Sequence, residues 1–118
     1  MPRNVLQSPW QFRLVYQDGK KIVCKYSILF YHKTGESNGG PLFGVVASKR
    51  VGGAVSRNRA KRLLREAVRN TERRFKDRDL WVVLVARGTI LEATSGDVTG
   101  DLENALVGEG LIRGDASA

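Results

Sequence analysis

The sequence predicts an α/β (α+β) two-layer sandwich, in which helices pack on a small central β-sheet of about four strands, in the order α-β-β-β-α-β-α. Two stretches carry this prediction. Residues 80–86, LWVVLVA, form an almost continuous apolar run of strand length, typical of a central strand covered on both faces. Residues 57–76 repeat apolar side chains at helical spacing. At 118 residues the chain can build one modest core. We therefore expect a single domain over residues 1–110 and an acidic, flexible tail over 111–118.

The first half of the chain begins with a short amphipathic helix. Ser8 is its N-cap, Pro9 its first residue, and Gln11 completes a capping box, while Gly19 ends it. Residues 22–31 are rich in β-branched and aromatic side chains and predict one strand or a bent pair. Residues 34–41, TGESNGGP, have the composition of a turn.

The second half supplies the remaining elements. Residues 42–51 predict a strand that the glycine pair 52–53 breaks, and a long helix follows over about 55–75. After the strand at 80–86, residues 97–107 predict a weaker helix, because Gly100 dilutes its pattern.

The composition argues against several kinds of site. Cys24 is the single cysteine and His32 the single histidine, so an intrachain disulfide, a zinc cluster and most nucleophile–histidine pairs lack the residues they need. Cys24 is expected to pack as a small apolar residue and His32 to lie at the surface beside a turn. No apolar run reaches the roughly 20 residues of a membrane span. We expect a cytoplasmic protein without a membrane partner or a resident metal.

Positive charge is concentrated in the middle of the chain. The net charge is +8, and residues 49–76 alone hold eleven lysines and arginines against two glutamates. Residues 77–118 have the opposite balance, with three cations and eight carboxylates. Charge confined to one segment indicates a polyanion-binding surface rather than general solubility.

A helical projection of residues 57–76 separates two sides. One is an apolar stripe for the sheet: Ala60, Leu63, Leu64, Ala67, Val68, Thr71 and Phe75. Beside it lies a polar arc about a third of the circumference wide: Asn58, Lys61, Arg62, Arg65, Arg69, Arg73 and Lys76. Four of these cations are successive i,i+4 neighbours that repel one another by about 0.2–0.5 kcal/mol per pair. The positive helix N-terminus also disfavours Arg57 and Arg59. Bound phosphates remove both costs, so we interpret the arc as a phosphate-binding face.

The same stretch closely resembles the signature of the bacterial ribonuclease P protein component. Residues 48–66 read SKRVGGAVSRNRAKRLLRE. The family signature runs Ser-Lys-(Lys/Arg)-(Ile/Val)-Gly-Asn-Ala-Val, any residue, Arg-Asn-Arg, any residue, Lys-Arg. Residues 12–19 look like the family's first helix and turn, and residues 79–87 like its last strand. Gly53 departs from the usual asparagine, and the acidic tail departs from the family's common basic tails.

The resemblance implies a fold and a function. The fold is an α/β sandwich with a left-handed strand–helix–strand crossover, an exception to the usual hand. The function is that of the protein subunit of ribonuclease P, which removes the 5′ leader from precursor tRNA. The catalytic RNA subunit would hold the magnesium and perform the cleavage, so the protein has no catalytic residues. Its partners would be that RNA and the single-stranded leader. The oligomeric state is left open.

The resemblance also assigns residues. Those matching the RNA-docking motif are Lys49, Arg50, Arg57, Asn58, Arg59, Lys61, Arg62 and Arg65, and the arc adds Arg69. Those matching the leader cleft are Phe12, Tyr16, Phe30 and Ser48, with Ser48 on the floor of a strand. From the sequence alone, Phe12 and Tyr16 fit core packing and base stacking equally well, and Phe30 fits the core better.

Three other functions compete with this one. A ribosomal-type structural RNA-binding protein would share the basic helix but not an aromatic cleft beside an Arg-Asn-Arg start. A membrane-surface helix would need the apolar stripe that the core already uses. A nuclease active by itself would have to rely on Asp77 and Asp79, which are more typical of turn residues at a strand entry.

Overall fold

The computed structural model of the chain describes residues 5–36 and 40–113, which form three α-helices and a four-stranded mixed sheet. The order is the predicted α-β-β-β-α-β-α, and the α+β class is confirmed. The elements are α1 (Pro9–Asp18), β1 (Lys20–Val23), β2 (Ser27–Lys33), β3 (Leu42–Val46), α2 (Ala54–Thr71), β4 (Leu80–Ala86) and α3 (Ser95–Gly108). Short 3₁₀ turns cover Glu72–Arg74 and Gly88–Glu92.

The sheet has the strand order β1-β2-β4-β3. Strand β2 runs antiparallel to both β1 and β4, whereas β3 runs parallel to β4 and reaches it through α2. The central strand is therefore β4, as its continuous apolar sequence predicts, and Val82, Val83 and Leu84 are all at most 1% exposed. The left-handed crossover stays a prediction of the family resemblance.

Alternating residues of the sheet face two separate cores. The larger core lies between the sheet and the pair α2–α3 and contains Leu29, Leu64, Leu84 and Leu106. Burial of each such side chain contributes about 1.5–3 kcal/mol to folding. The smaller core lies on the α1 side, where Leu6, Val15 and Val83 are fully enclosed. Helix α1 thus has its own sheet face, separate from the face that α2 covers.

The first helix follows its sequence signals closely. It begins after Ser8, whose backbone N–H donates to Gln11 Oε1 over 3.0 Å, and its C-cap is Gly19. Gly19 allows a close approach there, because a Cβ at this position would lie 2.4 Å from the carbonyl oxygen of Val15. The segment predicted over 22–31 as one strand or a bent pair is a hairpin, in which Ile22 and Leu29 are register partners across β1 and β2.

The strand predicted over 42–51 is too long, since β3 ends at Val46. Residues 48–52 form tight turns instead: Val51 N–H donates to the carbonyl of Ser48 over 3.0 Å, and Gly52 N–H to that of Lys49 over 3.1 Å. The Ser48 hydroxyl oxygen also accepts from Arg50 N–H over 3.3 Å. Such local serine–backbone bonds compete with strand pairing. The predicted position of Ser48 on a strand is therefore wrong.

Two helix limits and one boundary also differ from the sequence expectation. Helix α2 ends at Thr71, so Phe75 packs on the larger core from beyond the helix. Helix α3 begins earlier than residue 97, because Thr94 is an N-cap whose hydroxyl accepts from Asp97 N–H over 3.1 Å. The tail predicted from residue 111 begins too early, since Leu111 and Ile112 are 2% and 1% exposed. The rest of that predicted tail, 114–118, lies outside the described residues.

Candidate nucleic-acid interface

Helix α2 is divided into a buried side and a cationic side. The buried residues are Ala60, Leu63, Leu64, Ala67, Val68 and Thr71, which confirms all of the predicted stripe that lies within the helix. The opposite side carries Asn58, Arg62, Arg65 and Arg69, which together line a groove of about 470 Å³ with Glu66. We refer to Asn58, Arg62, Arg65 and Arg69 as the arginine face.

Among the described residues, the arginines of the arginine face are not held in ion pairs, although Glu66 lines the same groove. In the part of the chain that the structure describes, neither Arg62, Arg65 nor Arg69 forms an ion pair with a carboxylate. Arg65 and Arg69 are i,i+4 neighbours and both are exposed. Their mutual repulsion therefore remains in the free protein, and a bound polyanion would relieve it.

The start of α2 explains how a cation is tolerated at a positive helix end. Gly53 is the N-cap, and the first turn has no acidic residue. The guanidinium Nη1 of Arg57, which is half-buried, donates to the carbonyl oxygen of Gly52 over 3.1 Å. This bond holds the guanidinium beside the Gly52 turn at the helix start, where the carbonyl oxygen offsets part of its charge. Lys49 and Arg50 are exposed in the turn before it.

Two other predicted RNA-binding residues lie apart from the arginine face. Arg59 Nη2 donates to the carbonyl oxygen of Ala93 over 3.3 Å, so this side chain extends towards the segment before α3. Lys61 is half-buried and does not line the groove. The structure thus brings together four of the nine predicted RNA-binding residues on one surface and distributes the others around the start of α2.

A second concavity lies between α1, the edge strand β3 and α2. Its lining includes the Phe12 ring together with Arg65, Arg69 and Glu72, and its volume is about 470 Å³. We call it the Phe12 cleft. Gly44 forms part of the lining where the ring comes closest, since a Cβ there would lie only 2.5 Å from Phe12 Cε1. Leu6 closes one end by donating its N–H to the Phe43 carbonyl oxygen over 2.8 Å.

The other predicted cleft aromatics form a separate pair. Tyr16 and Phe30 meet edge to face, with ring centroids 4.9 Å apart, and neither lines the Phe12 cleft. Tyr16 is 40% exposed, and partial burial raises the pKa of its hydroxyl. Phe30 is half-buried against the smaller core. Ser48 is exposed in the turn after β3 and lines neither the groove nor the cleft.

Sequence reasoning missed one aromatic pair on the α1 side of the sheet. Trp10 and Trp81 meet edge to face with ring centroids 5.6 Å apart, and Trp10 is 54% exposed. Trp81 is two residues before Val83 on the central strand and therefore shares its sheet face. The signal was present in the alternation of β4, which alone places Trp81 on the face opposite Leu80 and Val82.

The two carboxylates considered for nuclease chemistry both have structural roles. Asp77 pairs with Lys33 over 3.1 Å, and Asp79 Oδ2 accepts from Gly35 N–H over 3.0 Å. Across residues 5–36 and 40–113, no three His, Cys, Asp or Glu side chains come together as a potential metal site. Over the same residues, none of the helices has the length and apolar character needed to cross a membrane.

An α+β sandwich whose central helix presents unpaired arginines beside an aromatic cleft has the characteristics of a small RNA-binding protein. The family model described as Ribonuclease P matches residues 1–108. The chain belongs to the ribonuclease P protein family, and its role is that of the RNA-binding protein subunit in the ribonucleoprotein that processes precursor tRNA. This finding decides against the ribosomal alternative.

Individual relatives agree with the family match. The ribonuclease P protein component of Clostridioides difficile is 33% identical over 100 residues, covering 84% of this chain and 85% of the relative. That of Fusobacterium nucleatum is 36% identical over 84 residues, covering 71% and 73%. That of Carboxydothermus hydrogenoformans is 39% identical over 59 residues, and the match spans about half of each chain, 50% and 51%.

Solved structures support the fold. The Staphylococcus aureus RNase P protein superposes with a TM-score of 0.81 at 20% identity, over 95% of this chain and 100% of that one. The RNase P protein from Thermotoga maritima in complex with 1-(4-fluorophenyl)-2-thiourea gives a TM-score of 0.73 at 25% identity, over 86% and 95%.

Proposed function

We propose that the chain docks on the RNA subunit of ribonuclease P through the start of α2 and the arginine face, and holds the 5′ leader of precursor tRNA in the Phe12 cleft. The observation that carries this proposal is that Phe12, Arg65 and Arg69 line one concavity. Single-stranded RNA offers a polyanionic backbone and unstacked bases, and this cleft offers a ligand for each.

The chemistry of each half supports the assignment. Guanidinium groups bind phosphate oxygens through two parallel hydrogen bonds, which suits arginine better than lysine for fixing an RNA backbone. An aromatic ring stacks on any base, with a contribution of about 1–3 kcal/mol per base. A leader of variable sequence needs this kind of recognition, because neither contact depends on base identity.

The residues around the start of α2 would serve the RNA subunit. Lys49, Arg50 and Arg57 are adjacent to the helix N-terminus, where backbone N–H groups already favour phosphate. Arg65 lines both the groove of the arginine face and the Phe12 cleft. We assign it a role at the junction between the RNA subunit and the leader.

We assign the cleavage step to the RNA subunit and its magnesium ions. A metal ion in such a reaction activates a water molecule and stabilises the leaving oxygen. Asp77 and Asp79 are both engaged in structural contacts, which fits a protein that contributes affinity rather than metal ligands. We place the protein in the cytoplasm, where bacterial transcripts are made and processed.

The salt dependence of binding tests the half of the proposal that concerns the RNA subunit. If the protein neutralises about six phosphates, the logarithm of the affinity for the RNA subunit falls with the logarithm of salt concentration at a slope of about −4 to −5. The double variant R65A/R69A should flatten this slope by about 1.4–1.8, or 0.7–0.9 per lost phosphate contact. The control is the exposed Lys25→Ala at the β1–β2 turn, which removes one charge away from the arginine face and is expected to keep the wild-type slope.

The leader half is read from the preference for precursor over mature tRNA. Phe12→Ala should leave assembly with the RNA subunit unchanged and weaken precursor binding by about fivefold or more, as expected for one lost stacking contact. A wild-type salt slope near −1 would contradict the arginine-face argument. Equal losses for precursor and mature tRNA in Phe12→Ala would contradict the role of the cleft.

A further inference from the structure

We propose that Trp10 and Trp81 form a second stacking site, which binds one further unpaired nucleotide of the leader outside the Phe12 cleft. The inference rests on the proposed function in one respect, that the leader runs along the α1 side of the molecule. It assigns a ligand to the tryptophan pair, meaning Trp10 and Trp81, neither of which the family resemblance places in the leader cleft.

The geometry of the tryptophan pair favours a flat ligand. The rings meet at an interplanar angle of 62° with centroids 5.6 Å apart, so they contact edge to face and do not stack on each other. Trp10 is 54% exposed although it lies on a helix with a buried side. Leu42 and His32 are the register partners of Trp81 on the two neighbouring strands. Together they extend an apolar and aromatic floor across three strands beneath Trp10.

The surrounding charge favours a nucleotide over an apolar protein partner. Arg13 is exposed one turn further along α1, at i+3 from Trp10, where side chains are neighbours. None of the ion pairs found among residues 5–36 and 40–113 involves Arg13. An exposed indole beside an uncompensated guanidinium offers a base-stacking surface together with a phosphate ligand.

The tryptophan pair lies on the same sheet face as the Tyr16–Phe30 pair. Phe30 is the register partner of Val83, which is two residues from Trp81 on β4. With strands about 4.8 Å apart and two residues spanning about 6.8 Å, the Cα atoms of Phe30 and Trp81 are about 8 Å apart. That distance is a little over two stacked base steps of about 3.4 Å. One single strand can therefore contact the Tyr16–Phe30 pair and the tryptophan pair in succession.

The test uses the natural fluorescence of the chain, whose only tryptophans are Trp10 and Trp81. The holoenzyme is titrated with precursor tRNAs carrying leaders from one to about ten nucleotides, and with mature tRNA. We expect long leaders to quench tryptophan emission and mature tRNA to leave it unchanged. Trp10→Ala should weaken binding of long-leader precursors by about five- to a hundredfold and leave one-nucleotide leaders at the wild-type affinity. Trp10→Phe should retain most of the affinity.

The control is Val107→Ala, which removes an exposed apolar side chain from α3 on the other side of the sheet. If Phe12→Ala loses the precursor preference while Trp10→Ala and the emission do not respond to leader length, the second site is refuted and the proposed function stands. If neither Phe12→Ala nor Trp10→Ala affects the precursor preference, both the second site and the proposed role of the Phe12 cleft are refuted. Emission changes with the RNA subunit alone, or with protein concentration alone in parallel with dimerisation, would also overturn the assignment.

Discussion

Replacing Gly44 with alanine would place a methyl group against the Phe12 ring. The new Cβ would lie 2.5 Å from Phe12 Cε1 and 2.6 Å from Cζ, whereas carbon atoms in contact prefer 3.5–4.0 Å. The ring must therefore move by about 1 Å. Overpacking of this kind costs about 1–3 kcal/mol of unfolding free energy.

A smaller gain opposes that cost. Gly44 is not among the glycines with positive φ, so alanine adopts its backbone conformation and stabilises the fold by about 0.4–1 kcal/mol through the unfolded state. In a Phe12→Ala background the ring is absent, and the nearest remaining atom is Leu6 Cδ1 at 3.5 Å, an ordinary contact. Gly44→Ala should then be stabilising. The double-mutant cycle predicts a coupling energy of about 1–3 kcal/mol.

Urea unfolding followed by circular dichroism measures the four free energies of unfolding. Gly88→Ala is the control glycine, because a Cβ there meets no atom within 4 Å. Gly44→Ala alone should also reduce the precursor preference of the holoenzyme, since the displaced ring no longer lines the Phe12 cleft as before. Additive changes within about 0.5 kcal/mol would refute the contact between Gly44 and Phe12 as the determinant of the cleft.

Two further predictions concern stability. Glu109 accepts from Tyr31 Oη and pairs with Lys20 Nζ, each over 2.8 Å, and the bonds to Lys20 and then Tyr31 lower the pKa of its carboxyl from the ordinary 4.5. Because the pKa of Glu109 is lower in the folded state, its ionised carboxylate stabilises the fold above pH 4.5. In urea unfolding, the stability advantage of wild type over Glu109→Gln should therefore shrink as the pH falls below 4.5. An equal advantage at pH 7 and pH 3 would contradict this. Ile112→Ala should cost about 2–5 kcal/mol, because Ile112 is 1% exposed, while the exposed Val107→Ala changes stability by under about 0.5 kcal/mol. If both variants lost equally little stability, Ile112 would not belong to the core and the tail would begin at residue 111, as predicted from the sequence.

Features determined by neighbouring residues could be read from the sequence. The limits of α1 depend on Ser8, Gln11 and Gly19, all within one short segment. The buried side of α2 follows from its own helical period, and the central position of β4 follows from its continuous apolar residues. These patterns carry their information locally, so no knowledge of the tertiary structure is needed to use them.

Features that depend on residues distant in the chain could not be predicted from the sequence. The burial of Ile112 depends on its bridge to Phe75, which is 37 positions away in the chain. The Phe12 cleft exists because Gly44 lacks a side chain where α1 crosses the sheet, and neither residue indicates this alone. The early end of β3 reflects a competition between strand pairing and local bonds of Ser48, which composition does not resolve.

The two helices packed on the larger core, α2 and α3, also give the molecule an asymmetric charge distribution. Helix α2 carries six lysines and arginines and one glutamate, whereas α3 carries three carboxylates and no cation. In the electric field of a polyanion, this separation of charge produces a torque that turns α2 towards the polyanion and α3 away from it before the two molecules make contact. Because screening at physiological salt limits such forces to about 8 Å, the rotation takes place only in the last moments of an encounter. Acidic residues on α3 would thus speed productive collisions without contacting the RNA.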